Sequence, residues 1–179
     1  KIAGGLDAKA NLDWLYDNCF EPKLKKLIHK NQPYVVLVPG CSDAKPEKRW
    51  PASKFVDLVV YLGERGYSVI LVGTVQDQAV IDAVKRDASE VVDLCAQTSL
   101  GQLAIVFQRA SAVVGNDTGP MFLAAKVGVP SLVLMGQHTD PVRSAPFGVK
   151  TAFIKSDNID AIKVLDVVEQ LKNLSVSKL

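Results

Sequence analysis

The sequence predicts an α/β fold, a Rossmann-like parallel sheet with helices on both faces, and three observations carry the prediction. From Pro33 onward, short apolar runs alternate with stretches whose apolar residues recur at helical spacing. Gly, Pro and polar residues bound these runs, as expected of strands that end in loops. Alternation of this kind implies parallel strands, because each parallel pair needs a crossover and the helices of the crossovers cover the sheet. The third observation is one segment, Val113-Val-Gly-Asn-Asp-Thr-Gly-Pro-Met-Phe-Leu-Ala-Ala-Lys-Val-Gly-Val-Pro130, which reads as a buried strand, a polar loop and a helix start in direct succession.

Taken in chain order, residues 1–32 stand apart. Ala10 to Cys19 spaces Leu12, Trp14 and Leu15 for a short helix, and Pro22 opens a basic helical stretch from Lys23 to Lys30. This part is expected to be a linker and N-terminal helical segment leaning on a single domain of residues 33–179. Strands are expected at Tyr34 to Val38, Ser68 to Val72, Val91 to Leu94, Ala112 to Gly115, Ser131 to Met135 and Thr151 to Ile154. Helices are expected between them at Ser53 to Arg65, Gln76 to Arg86, Leu100 to Arg109 and Thr118 to Val127, with Asp160 to Leu174 closing the chain. Gly128 and Pro130 stop the fourth of these. In such sheets ligands bind beyond the carboxyl ends of the strands, near the point where the strand order reverses.

Composition narrows the classes. At 179 residues, 48% hydrophobic and 22% charged, the chain is long enough to bury a core and is neither disordered nor disulfide-stapled. A formal net charge of +2 gives no argument for nucleic acid, and the four cations between Lys45 and Lys54 read as a solvated loop. Cys19, Cys41 and Cys95 are odd in number and widely separated, and His29 and His138 are the only histidines, so neither a disulfide framework nor a metal site is indicated and a reducing cytoplasm is expected. No apolar run reaches 18 residues and no signal-peptide pattern opens the chain. A start at Lys rather than Met fits a piece of a longer protein.

Two loops carry the polar chemistry. In the loop Gly115-Asn-Asp-Thr-Gly-Pro120 the next helix offers unpartnered backbone N–H groups, which suit an anion, while a carboxylate at Asp117 suits sugar hydroxyls. Capping by Asp117 or Thr118, with Gly119 serving the turn, is the alternative. The loop Pro39-Gly-Cys-Ser-Asp-Ala-Lys-Pro-Glu-Lys-Arg-Trp-Pro51 can bring backbone N–H groups, the Ser42 hydroxyl and the Lys48 ammonium to a diphosphate, although it lacks the P-loop spacing. Lys48 is otherwise a surface lysine before a packing corner at Trp50. Asp77 comes after the second strand, where a carboxylate can accept ribose hydroxyls or complement a helix dipole. Ser99 is explained by capping alone.

The wording of these loops resembles glycosyltransferase family 9, the bacterial ADP-heptose:lipopolysaccharide heptosyltransferases. Asp117 to Pro130 is similar to the signature D-[ST]-G-P-M-H-L-A-A-x-x-G-x-P, Val38 to Pro51 to a P-G-[AGS]-x…K-R-W-P loop, and Leu94-Cys-Ala-Gln-Thr-Ser-Leu100 to an L-x-G-x-[TS]-S-L segment. The resemblance implies a two-domain GT-B enzyme, of which this chain matches the C-terminal, nucleotide-sugar-binding half. It implies that Ser42, Lys48, Asp77, Thr98, Asp117, Thr118, Gly119, Pro120 and Met121 bind the donor, with Lys48 on the phosphates, the loop near Thr98 around the adenine, Asp117 on the heptose and the backbone from Thr118 to Met121 on the diphosphate. It further implies ADP-heptose or a related ADP-sugar as donor, no cofactor or metal, and a lipopolysaccharide core acceptor held by the other domain. No catalytic residue is expected in this chain, since the family's base belongs to the other domain. Cytoplasmic work at the inner face of the inner membrane, with peripheral association, is implied by the same likeness. Phe122 departs from the pattern, which has His there, and Phe cannot donate a hydrogen bond to phosphate or sugar. His138, in the loop after the next strand, is one source of a replacement imidazole. Two other readings fit the same fold: a non-catalytic nucleotide-sugar-binding domain, as Phe122 permits, and another GT-B transferase or epimerase.

Overall fold

A computed structural model describes residues 32–42 and 45–176. The helical patterns expected at 10–19 and 23–30 lie outside the described residues. Six strands form one sheet: β1 (Tyr34–Val38), β2 (Ser68–Leu71), β3 (Val92–Asp93), β4 (Ala112–Asn116), β5 (Ser131–Met135) and β6 (Thr151–Lys155). All pairings are parallel and the order is β3-β2-β1-β4-β5-β6. This is the Rossmann order, with its reversal between β1 and β4.

Strand pleating divides the core. Val35 and Leu37 of β1, with Val114 of β4, face a cluster that takes in Phe55, Leu58 and Leu62 of α1 (Ala52–Gly63), Ile81 and Val84 of α2 (Gln78–Asp87) and Val167 and Leu171 of α6 (Val164–Asn173). Tyr34, Val36 and Val38, with Val113, face the other way onto Val106 and Phe107 of α3 (Leu100–Gln108) and Met121 and Ala124 of α4 (Gly119–Val127). Burial on both faces explains why β1, β4 and β5 are continuous apolar runs rather than alternating ones.

Three departures from expectation concern the helices. The closing helix does not run unbroken from Asp160: a 3-10 turn at Ile159–Ala161 comes first, its start capped by Asn158, whose Oδ1 accepts from the Asp160 N–H at 3.0 Å, and α6 begins only after Lys163. Another 3-10 turn, Val75–Asp77, takes the first residues assigned to α2, because Asp77 folds back to the Thr74 N–H at 2.8 Å. A short helix, α5 (Pro141–Ser144), is additional to the expected elements; Asp140 caps it by accepting from the Val142 N–H at 3.0 Å, and Pro141 opens it.

Candidate functional site

The two polar loops meet over the carboxyl edge of the sheet, and one buried side chain holds them there. Asn116, the last residue of β4, has no exposed surface; its Oδ1 accepts from the Trp50 N–H at 3.0 Å and its Nδ2 donates to the Pro39 carbonyl at 2.7 Å. One amide thereby ties both ends of the loop after β1 to the end of β4. Trp50 is fully buried, packs edge-on against Phe55 at 4.9 Å and donates its indole N–H to Ile162 O at 3.0 Å, so it is a core anchor for the loop. A 3-10 turn at Pro46–Lys48 then aims Lys48 back across β4.

Lys48 and Asp117 come together. Lys48 Nζ lies 2.5 Å from Asp117 Oδ2, with 13% and 8% of the two side chains exposed. Neither bland alternative survives: Lys48 is not a free surface lysine, and Asp117 is not a cap. The N-cap of α4 is Thr118, with no side-chain cap bond at all. Asp117 Oδ2 also accepts from Thr139 Oγ1 at 3.1 Å. Thr139 is only 2% exposed and is not among the residues that the sequence marks. The signal available for it is weak, a hydroxyl in a polar loop directly after a buried strand.

The expected run of backbone donors from Thr118 to Met121 is shorter than the motif suggests. Pro120 has no N–H, and the Met121 N–H is already bonded to Thr118 O at 3.1 Å while its side chain is wholly buried. That leaves Thr118 and the exposed Gly119, which precede the first intrahelical donor, to face an anion. Phe122 is 45% exposed one position further into α4. His138 lies on the loop after β5, next to Thr139. It is exposed, and it lines a cleft of about 310 Å³ with Glu47, Arg49, Gln137, Asp157 and Asp160, set between the loops after β1, β5 and β6.

Asp77 sits against the loop after β1 from the β2 side. A Cβ at Gly40 would overlap its carboxylate, so glycine is what permits the approach. Its Oδ2 accepts from the Thr74 N–H at 2.8 Å and from Thr74 Oγ1 at 2.9 Å, which closes the 3-10 turn ahead of α2, and the approach to Gly40 comes in addition to that. Ser42 is exposed at the rim of the same loop. Thr98 is half-buried in the turn after β3, which β2 holds close: the Ala96 N–H donates to Gly73 O at 2.9 Å and Cys95 Sγ to Thr74 O at 3.0 Å. Ala96 adopts φ +53°, a left-handed conformation that costs a non-glycine residue about 1–2 kcal/mol. Ser99 is a cap as expected, its Oγ accepting from the Gln102 N–H at 3.2 Å. Thr98 and Asp117 therefore stand at opposite ends of the row, since β3 and β4 are three strand spacings apart, about 14 Å.

Cys41 and Cys95, the cysteines among the described residues, are both buried. Burial pushes the Cys41 thiol above its usual range, although Arg49 beside it works the other way, and burial followed by the charge of Asp93 raises Cys95. Among the described residues, no group of three or more His, Cys, Asp or Glu side chains is placed to hold a metal, and no helix is long and apolar enough to cross a membrane.

A parallel sheet in this order, with polar loops gathered at its point of reversal, defines the Rossmann-like class of α/β domain. Solved structures carry the same fold. The E. coli ADP-heptose lipopolysaccharide heptosyltransferase II superimposes with a TM-score of 0.76 at 23% identity, covering 96% of this chain and 52% of that one. E. coli heptosyltransferase WaaC with ADP gives 0.72 at 22% identity, covering 84% and 47%. Among curated proteins, the chain is 31% identical over 138 residues to lipooligosaccharide heptosyltransferase 2 of Haemophilus influenzae, which is 74% of this chain and 39% of that relative. The model of glycosyltransferase family 9 (heptosyltransferase) matches residues 7–174, reaching further toward the N-terminus than the motifs do. The chain belongs to glycosyltransferase family 9. It spans about two fifths of the length of the curated relatives it matches.

Proposed function

We propose that this chain is the donor-binding half of a heptosyltransferase, taking ADP-heptose and presenting its anomeric carbon to a lipopolysaccharide core acceptor held by the other half. One observation carries the reading. Across the carboxyl edge of the sheet the candidate residues fall in the order Thr98 after β3, Asp77 after β2, Lys48 on the loop after β1 and Asp117 after β4. That is the order of base, ribose, diphosphate and sugar in a nucleotide sugar. The distal phosphate and the sugar are bonded neighbours, so groups that read them must themselves be neighbours, as Lys48 and Asp117 are.

The charges dictate the chemistry. When an acceptor hydroxyl attacks the anomeric carbon, the glycosidic C–O bond breaks and ADP leaves with growing negative charge on its terminal phosphate. A fixed ammonium, together with the N–H groups of Thr118 and Gly119 at the start of α4, stabilises that charge more in the transition state than in the ground state. The base that takes the hydroxyl proton belongs to the other half. Asp117 holds Lys48, so an entering diphosphate competes with the carboxylate for the ammonium. The related E. coli structure that holds ADP supports the choice of adenine nucleotide.

A second reading, a binding domain without transferase activity, is favoured by Phe122, which stands exposed at the first turn of α4 where the family has an imidazole. Calorimetry on the full chain with ADP, UDP and ADP-heptose tests the first. ADP should bind better than UDP, and ADP-heptose better than ADP. Equal binding of UDP would remove the nucleotide assignment, and equal binding of ADP and ADP-heptose would remove the sugar site and leave the non-catalytic reading in front.

A further inference from the structure

The geometry points to Thr139 as a positioning residue, one that holds the Asp117 carboxylate in place when Lys48 leaves it for the ligand. Asp117 Oδ2 has two donors, Lys48 Nζ at 2.5 Å and Thr139 Oγ1 at 3.1 Å, and among the described residues none reaches Oδ1. The two donors are not equivalent. Lys48 sits on a flexible four-carbon stem and has a competing partner in any diphosphate that enters. Thr139 is β-branched, 2% exposed and fixed through its backbone, whose N–H donates to Gly136 O at 3.2 Å.

The loop that carries Thr139 is itself braced. Gly136 lies so close to the turn holding Lys48 that a Cβ there would stand 3.2 Å from Glu47 O, and Asp140 on the other side caps α5. A carboxylate held by one rigid hydroxyl at Oδ2 keeps Oδ1 as its free acceptor, turned to a sugar hydroxyl in a fixed direction. Without that hydroxyl, Asp117 would lose both donors at the moment of binding and turn about its own side-chain bonds. Thr139's part in sugar recognition rests on the reading of Asp117 proposed above, whereas its hold on the carboxylate does not.

Two readouts on the full chain separate these. In ligand-free Lys48→Ala protein, where Thr139 is the donor that remains to Asp117 Oδ2, the three-bond couplings that report the side-chain rotamer of Asp117 should indicate one rotamer with Thr139 or Thr139→Ser, and averaging with Thr139→Val. Affinity for ADP-heptose should fall about tenfold in Thr139→Val, recover in Thr139→Ser, and leave ADP affinity unchanged throughout; Thr139→Ala removes the same hydroxyl should the valine variant fold poorly. Unchanged couplings in the variants lacking the hydroxyl would overturn the positioning role outright. Averaged couplings with an unchanged ADP-heptose to ADP ratio would overturn its part in recognition. If the couplings average but wild type itself does not distinguish the sugar nucleotide from ADP, the hold on Asp117 stands and the sugar-site reading is what fails.

Discussion

At the scale of single residues, the pair Lys48 and Asp117 makes opposite demands on two variants. On the proposed reading Lys48→Ala removes a charge-assisted contact to the diphosphate that both ADP and ADP-heptose carry, so both affinities should fall together, by about one to two decades for a loss of about 1.5–3 kcal/mol. Asp117→Asn keeps the side-chain shape but gives up the ion pair, so stability should drop by about 1–3 kcal/mol, ADP affinity should rise as Lys48 loses its competing partner, and the preference for ADP-heptose over ADP should vanish. Calorimetry with both ligands, alongside thermal melts, checks the two patterns. Had Asp117 been the cap of α4, the asparagine would have been nearly neutral, because Asn caps as well as Asp. Both residues are legible in the sequence because each lies in a motif with a chemical reason for its residue type. Their contact is not legible, since 69 positions separate them in the chain and the Asn116 clamp that helps bring the loops together is itself a long-range contact. Thr139 stays hidden for the same reason: its local signal is weak, and its partner is in the loop after another strand.

At the scale of elements, legibility depends on whether the determinant is local. The strands from β1 to β6 and the helices α1 to α4 announce themselves through apolar period and flanking turns, with ends that differ by a few residues. β3 shrinks to Val92–Asp93, paired on one side to β2 at Ile70 and Leu71 and lying at the sheet's edge. The 3-10 turns at 46–48, 75–77 and 159–161 are invisible in the sequence because three residues leave no periodic trace. Helix α5 does carry a local signal, since Asp140-Pro141 is the cap-then-proline pattern of a helix start. The helix itself has only four residues, too few to show an apolar period that would support that signal. Ser99 shows a local rule working as written. With Gln102 it forms a reciprocal cap, the Ser99 N–H donating to Gln102 Oε1 at 2.8 Å. Ser99→Ala should therefore cost about 1 kcal/mol in a denaturant melt and leave ADP affinity unchanged, which separates capping from any contact with the base.

At the scale of the whole molecule, burial of titratable groups makes stability depend on alkaline pH. Cys41, Cys95 and Tyr34 are held protonated by burial, and the Tyr34 hydroxyl donates to Val106 O at 2.7 Å inside the core. The folded state binds these protons more tightly than the unfolded chain does. Their contribution is therefore complete below the ordinary thiol value of 9.0 and is lost as pH climbs through the raised folded values. The melting temperature should stay level up to about pH 8 and fall above it, with a shallower fall in a Cys41→Ala, Cys95→Ala double variant.

The sheet's larger consequence is that β3, β2, β1 and β4 lay four loops side by side in the order of a nucleotide sugar's parts. The most direct test of that alignment is a crystal structure of the chain with ADP-heptose bound. Adenine is predicted at the turn holding Thr98, ribose by Asp77, the distal phosphate on Lys48 Nζ with the ion pair to Asp117 opened, and a heptose hydroxyl on Asp117 Oδ1. A ligand lying elsewhere on the domain, or one that leaves Lys48 and Asp117 paired and untouched, would contradict it.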